Sequence, residues 1–176
     1  MDKKIAVIYK SKYGTTKRYA EWIAEALNGT LMEASAVKPE SLAAYDAVVY
    51  GGWLFAGNIS GVKLVTQNPC KNLVVFSVGL ADPALMDFSA VVQKCIPADR
   101  SATTKVFHLR GGVDYTRLGF IQKSMLSMVK NSVEKKPEAE RSPEDSAILE
   151  TYGKQADFTS KEAVEPLVAY VQSIVQ

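Results

Sequence analysis

The chain has 176 residues, of which 47% are hydrophobic and 23% charged, proportions of one globular domain rather than a disordered or multidomain protein. Its 21 Lys and Arg against 19 Asp and Glu leave a formal charge of +2, too small to announce a nucleic-acid binder, and no nucleic-acid partner is expected. One histidine and two separated cysteines, Cys70 and Cys95, offer neither a metal site nor a disulfide framework, so reduced thiols are expected. The N-terminus runs into a short apolar segment without a leader-like core, and no stretch approaches the roughly 18 apolar residues of a membrane span. The expected location is cytoplasmic.

The first apolar run, Ile5–Tyr9, is continuously apolar rather than alternating, the pattern of a strand buried on both faces of a parallel sheet. It leads into Lys10-Ser11-Lys12-Tyr13-Gly14-Thr15-Thr16-Lys17 and then a helix over 15–27. There Ala20, Ile23, Ala24 and Leu27 recur at helical spacing, and Asn28-Gly29 stop it. A helix N-terminus behind a hydroxyl-rich loop has unpaired N–H groups and the positive end of the helix dipole, which suit a phosphate. Neither GxxxxGK[ST] nor GxGxxG is present, which argues against a nucleoside triphosphatase and a dinucleotide-binding domain. Thr15 or Thr16 as an ordinary N-cap and Gly14 as an ordinary turn residue is the competing reading.

Thr30–Glu33 is expected as an edge strand, and Ala47–Tyr50, Leu73–Val78 and Val106–Leu109 as further buried strands. After the second strong strand, Gly51–Asn58 is expected as a loop carrying Trp53 and Phe55, aromatic rings that either pack on a neighbour or stack on a ligand. After Val78, Asp82 is positioned to cap a helix that begins at Pro83. His108, near the end of an apolar run, is expected to be structural.

Beyond Leu109 come Arg110, Gly111 and Gly112, then a segment in which Leu118, Ile121, Met125, Met128 and Val129 share a face ringed by Arg117, Lys123 and Lys130. Either this is a surface helix with its apolar face on the sheet, or it meets a membrane or covers a ligand. Glu134–Pro143 is expected as a surface loop. A last helix follows, with Thr159 and Glu162 as its capping box or with a later start forced by Pro166. Strands alternating with helices predict an α/β fold with a doubly wound parallel sheet.

The first strand, loop and helix resemble the FMN-phosphate loop of the flavodoxin family, roughly [ST]-x-[TY]-G-x-[ST], with Ser11, Tyr13, Gly14 and Thr16 in those places. The resemblance implies a flavodoxin-like three-layer α/β/α sandwich with a five-stranded parallel sheet in the order 2-1-3-4-5. It also implies FMN as cofactor, its phosphate held by the hydroxyls of Ser11, Thr15 and Thr16 and by the backbone of Lys12, Tyr13, Gly14, Thr15 and Thr16. Gly52, Trp53, Leu54, Phe55, Ala56 and Gly57 would flank the ring, with Gly79, Leu80, Ala81 and Asp82 at its polar edge. The LRG opening, the Met-rich basic segment and the GGWLFAGNI loop resemble the menaquinone-dependent protoporphyrinogen oxidases, a flavodoxin-like subgroup.

These resemblances imply one domain over 1–176 with an inserted basic amphipathic segment at about 110–145. The implied activity is an FMN-dependent oxidoreductase that takes electrons from a protoporphyrinogen-like or quinol/quinone-type donor, with no side chain expected as a catalytic nucleophile. Peripheral membrane contact through Leu118 to Lys130, at the inner face, goes with that reading. The alternatives are a flavodoxin-type electron carrier serving a redox partner protein and a binding module that takes no flavin. Charge separates the first two: residues 1–20 carry six Lys and Arg against one Asp, and residues 101–136 seven against two acids. Lys12, Lys17, Arg18 and Arg110 are therefore expected at the flavin end, where positive charge favours the anionic reduced ring over one-electron chemistry.

Overall fold

The computed structural model describes residues 3–176; Met1 and Asp2, where the N-terminal segment read above begins, lie outside the described residues. In chain order the principal elements are β1 (Ile5–Lys10), α1 (Thr15–Leu27), β2 (Thr30–Glu33), β3 (Ala47–Phe55) and β4 (Asn58–Ile59). They continue with α2 (Lys63–Thr66), β5 (Leu73–Gly79), α3 (Ser89–Cys95), β6 (Thr104–Arg110) and β7 (Gly112–Asp114). The last are α4 (Phe120–Glu134), α5 (Pro143–Thr151), β8 (Gln155–Asp157) and α6 (Glu165–Ile174). The main sheet runs β2-β1-β3-β5-β6 with every neighbour parallel, which is the expected order once the two-residue return strand β4 is set aside.

Alternate residues of each continuous apolar strand serve opposite cores. On one face Val7, Val49 and Phe76 pack under α1 and α6 with Tyr19, Ile23, Leu167 and Val171. On the other, Ile8, Tyr50 and Val75 pack with Leu42, Val65 and Val91. Two-sided burial is why these strands read as unbroken apolar runs. The exposed residues of β2 fit its place at the edge.

Two local expectations change. Gly51 and Gly52 are not loop residues: β3 continues through them to Phe55, and the chain turns at Ala56 and Gly57, both with positive φ, into β4. The glycines are in the strand because their neighbours fill the missing side-chain space: a Cβ on Gly51 would stand 2.0 Å from the Phe76 ring. The Thr159–Glu162 capping box does not form. Thr159 bonds Asp157 and Arg18 instead, and α6 starts at Glu165 with Pro166 in its first turn, where a missing N–H costs nothing. Glu134–Pro143 is an exposed segment, as expected, with one short 3₁₀ turn at Glu138–Glu140, and Ser142 and Asp145 form the reciprocal cap that starts α5.

Between β6 and α6 the chain leaves the sheet and returns through the antiparallel pair β7–β8. Phe158 N–H donates to the Gly111 carbonyl at 3.1 Å, and Tyr19 donates to the Arg110 carbonyl at 2.6 Å, which ties both ends of this excursion to α1 and the sheet. The helical hairpin α4–α5 it carries stands over the C-terminal ends of β3 and β5, because side chains of both helices line a cavity there.

Candidate functional site

The cavity measures about 290 Å³, at the lower end of the roughly 300–1,000 Å³ usual for small-molecule sites. Its floor is the loop after β1, the end of β3, the end of β5 and Gly111-Gly112. Met125, Leu126, Met128 and Val129 of α4, with Glu144 and Ile148 of α5, form its roof.

Of the expected site residues, Lys12, Tyr13, Thr15, Thr16, Trp53, Leu54, Phe55, Gly79 and Leu80 line this cavity. The others stand beside it. Ser11 accepts the Gly14 N–H at 3.1 Å and so shapes the loop. Gly14, at φ 91°, takes the left-handed turn that releases the chain into α1. Gly52 backs onto Ile59 of the return strand and Ser60 just after it, and Ala56 and Gly57 form the turn. Ala81 is buried with its N–H on Glu144, and Asp82 caps Ala84 at 3.0 Å, as expected, above a 3₁₀ turn rather than an α-helix.

Neither Thr15 nor Thr16 is an N-cap. Gly14 occupies that position and no side chain accepts from the first N–H groups of α1, which leaves donors and dipole aimed at the cavity floor. Thr16 is buried. Gly111 closes against the same place, since a Cβ there would meet Thr15 Oγ1 at 2.9 Å and Val78 at 2.6 Å. Trp53 forms an aromatic wall, tilted against Phe55 with ring centroids 5.8 Å apart, and the Lys12 ammonium lies over the Trp53 ring at 4.9 Å.

The expected ring of cations is thinner than the sequence implies. Lys17 pairs with Glu21, and Arg18 bonds Asp157 and Thr159. Arg110 stacks on Phe158 at 3.7 Å and donates to the Leu80 carbonyl. Among the described residues lining the cavity, Lys12 is the one cation and Glu144 the one carboxylate.

The surface-helix reading of residues 118–130 is also corrected. The α4 apolar face is not on the sheet: it roofs the cavity and continues outward, leaving Phe120, Ile121 and Met128 exposed at 88%, 74% and 71%. The roof residues were visible in the sequence as a Met-rich face. Glu144 was not, because a lone glutamate in a polar stretch carries no periodicity.

His108 lies outside the cavity, bonded to Ser77 at 2.6 Å and stacked on Phe88. Burial pushes its pKa down to about 4. The folded ring therefore stays neutral while the unfolded chain takes up a proton below about pH 6.5, so this contribution is present above 6.5 and is lost as pH falls through 4. Urea unfolding should show a gap between wild type and His108→Asn that shrinks by about 2 kcal/mol from pH 7 to pH 4, after discounting for the ring's partial exposure. A gap constant with pH would contradict this.

A parallel doubly wound sheet with a cavity at the carboxyl ends of β1, β3 and β5, floored by an uncapped helix N-terminus, places the chain among the open doubly wound α/β proteins, in which ligands collect at that end of the sheet. The chain belongs to the flavodoxin domain family, whose model matches residues 6–140. Similar solved structures include a WrbA-like flavodoxin from Agrobacterium tumefaciens, 22% identical over 58% of this chain and 75% of that one, with a TM-score of 0.46. Flavodoxin 2 from Bacillus cereus is 19% identical over 61% of this chain and 84% of its own, with a TM-score of 0.45. A flavoprotein in complex with FMN from Lactobacillus acidophilus is 12% identical over 61% and 92%, with a TM-score of 0.41. No curated protein matches the chain.

Proposed function

We propose that the chain binds FMN, with the phosphate on the N-terminus of α1 and the ring in the cavity, and acts as an oxidoreductase on a small organic donor of the protoporphyrinogen or quinol type. The donor set fits the cofactor at two of the three expected places: free N–H groups with Thr15 and Thr16 suit a phosphate and Trp53 suits a planar ring, while the backbone of Gly79 and Leu80 is already engaged by Gly111, Arg110 and Glu144. When bound, FMN supplies the redox chemistry. The chain supplies binding, orientation and exclusion of water.

The observation that carries this reading is the roof. A carrier that hands single electrons to a partner protein works best with an open ring edge. Side chains of α4 and α5 instead lie over a largely apolar cavity and narrow access to the proposed ring position. Exposed Phe120, Ile121 and Met128, near Lys123 and Lys130, support peripheral membrane contact through residues 118–130, where a quinone dissolved in the inner face would approach. The same rim suits docking of a redox partner protein, which supports the carrier as the second reading.

Stepwise anaerobic reduction of the FMN-loaded protein, followed by its visible spectrum, separates the two. The oxidoreductase is expected to pass from oxidised to fully reduced in one step. A one-electron-reduced form that persists between two well-separated midpoint potentials would favour the carrier.

A further inference from the structure

Glu144, in the roof, is the one carboxylate among the described residues that line the cavity. It projects from the first turn of α5 into the cavity, and its Oε2 accepts the Ala81 N–H at 3.2 Å. The same oxygen lies 3.6 Å from where a Cβ on Gly79 would stand, beside the Leu54 side chain at 3.5 Å. No cation pairs with it among the described residues, while its neighbour Asp145 is held by Lys136. The groups facing it are few. The loop after β5 offers the N–H groups of Leu80 and Ala81, α5 offers Asp145, the loop after β1 brings Lys12 and Tyr13 to the same cavity, and α4 contributes apolar side chains.

We propose that Glu144 is the proton acceptor of this cavity, taking a proton from a two-electron organic donor as that donor is oxidised; this rests on the FMN reading above. A hydroquinone illustrates the balance. Its two O–H bonds break and two carbonyls form, and both electrons with one proton go to the flavin, the oxidant. The second proton goes to the Glu144 carboxylate and from there to water, which the half-buried first turn of α5 reaches. The competing cavity group, Tyr13, is a poor acceptor because burial raises its phenol pKa and keeps it protonated. Burial likewise raises the Glu144 carboxyl, against the lowering by the Ala81 and Leu80 N–H groups, and brings it nearer the pH at which a base works best.

The test uses FMN-loaded wild type, Glu144→Gln and Glu144→Asp, with tetramethylhydroquinone as donor. In anaerobic stopped-flow, wild-type flavin reduction should rise with pH along a limb set by a raised carboxyl. Glu144→Gln should lose that limb and about 100-fold in rate at pH 7, and Glu144→Asp should keep the limb at reduced rate. Calorimetry of FMN binding in buffers of different ionisation enthalpy supplies a readout independent of turnover: on the rising limb of its pH profile, wild type should take up protons that Glu144→Gln does not. Identical pH profiles and proton counts in wild type and Glu144→Gln, with FMN bound by both, would overturn the role of Glu144 alone. A wild-type chain that takes up no FMN would instead overturn the cofactor reading.

Discussion

Replacing Gly51 with alanine is expected to destabilise the protein by about 3 kcal/mol, lowering the thermal midpoint by roughly 6–12 °C for a chain of this size. The cause is local. Gly51 lies in the centre of β3, paired in register with Tyr9 on β1 and Phe76 on β5, and the Phe76 ring occupies the space a side chain would take. A Cβ at 2.0 Å from Phe76 Cζ cannot be accommodated unless that fully buried ring moves within the core shared with α1 and α6. Shortening the ring should restore room: Gly51→Ala with Phe76→Leu is expected to be less destabilised than the two single changes added together, by at least about 1 kcal/mol. A thermal midpoint for Gly51→Ala within 2 °C of wild type, on the order of the smallest significant shift, would show that β3 does not pack as described.

Thr15→Asp is expected to weaken FMN binding by about 100-fold, roughly 3 kcal/mol, because it sets a carboxylate among donors that serve an anion. Thr15 stands in the first turn of α1, where no side chain satisfies the backbone N–H groups, and its Oγ1 faces the cavity floor beside Gly111. Riboflavin, which lacks the phosphate, should bind wild type and Thr15→Asp about equally, and Thr15→Ser should bind FMN as wild type does. These are isothermal titrations. Equal loss of FMN and riboflavin would mean that the substitution damages the fold rather than a phosphate site.

Strands and helix α1 were legible because burial writes directly into the sequence. Ile5–Tyr9 and Leu73–Val78 are apolar at every position because both faces of the sheet are covered, and Ala20, Ile23, Ala24 and Leu27 mark one buried face. The end of β3 was not legible. Gly51 and Gly52 signal a turn in isolation, and only the Phe76 ring and the return strand explain them as strand residues. The phosphate-type floor was visible as a motif, yet the absence of a cap on α1 depends on a left-handed Gly14.

Charge was the most misleading guide. The count of basic residues near the strand ends was right, but long side chains reach away: Arg18 goes to Asp157 and Arg110 lies on Phe158. What the cavity holds instead is one lysine and one glutamate, brought from segments more than a hundred residues apart. Met125, Met128 and Val129 were recognisable as an apolar face, but their partner was not the sheet. The β7–β8 pair that carries them over the site is a tertiary decision that no local pattern records.

The proposed function requires that the cavity between the sheet and the α4–α5 hairpin hold FMN by its phosphate and its ring together. It is tested most directly by equilibrium titration of the flavin-free protein with FMN and, in parallel, with riboflavin, followed by flavin fluorescence. Saturable quenching at one FMN per chain is expected, with riboflavin bound at least about 100-fold more weakly. No saturable uptake of FMN, or equal affinity for the two flavins, would contradict it.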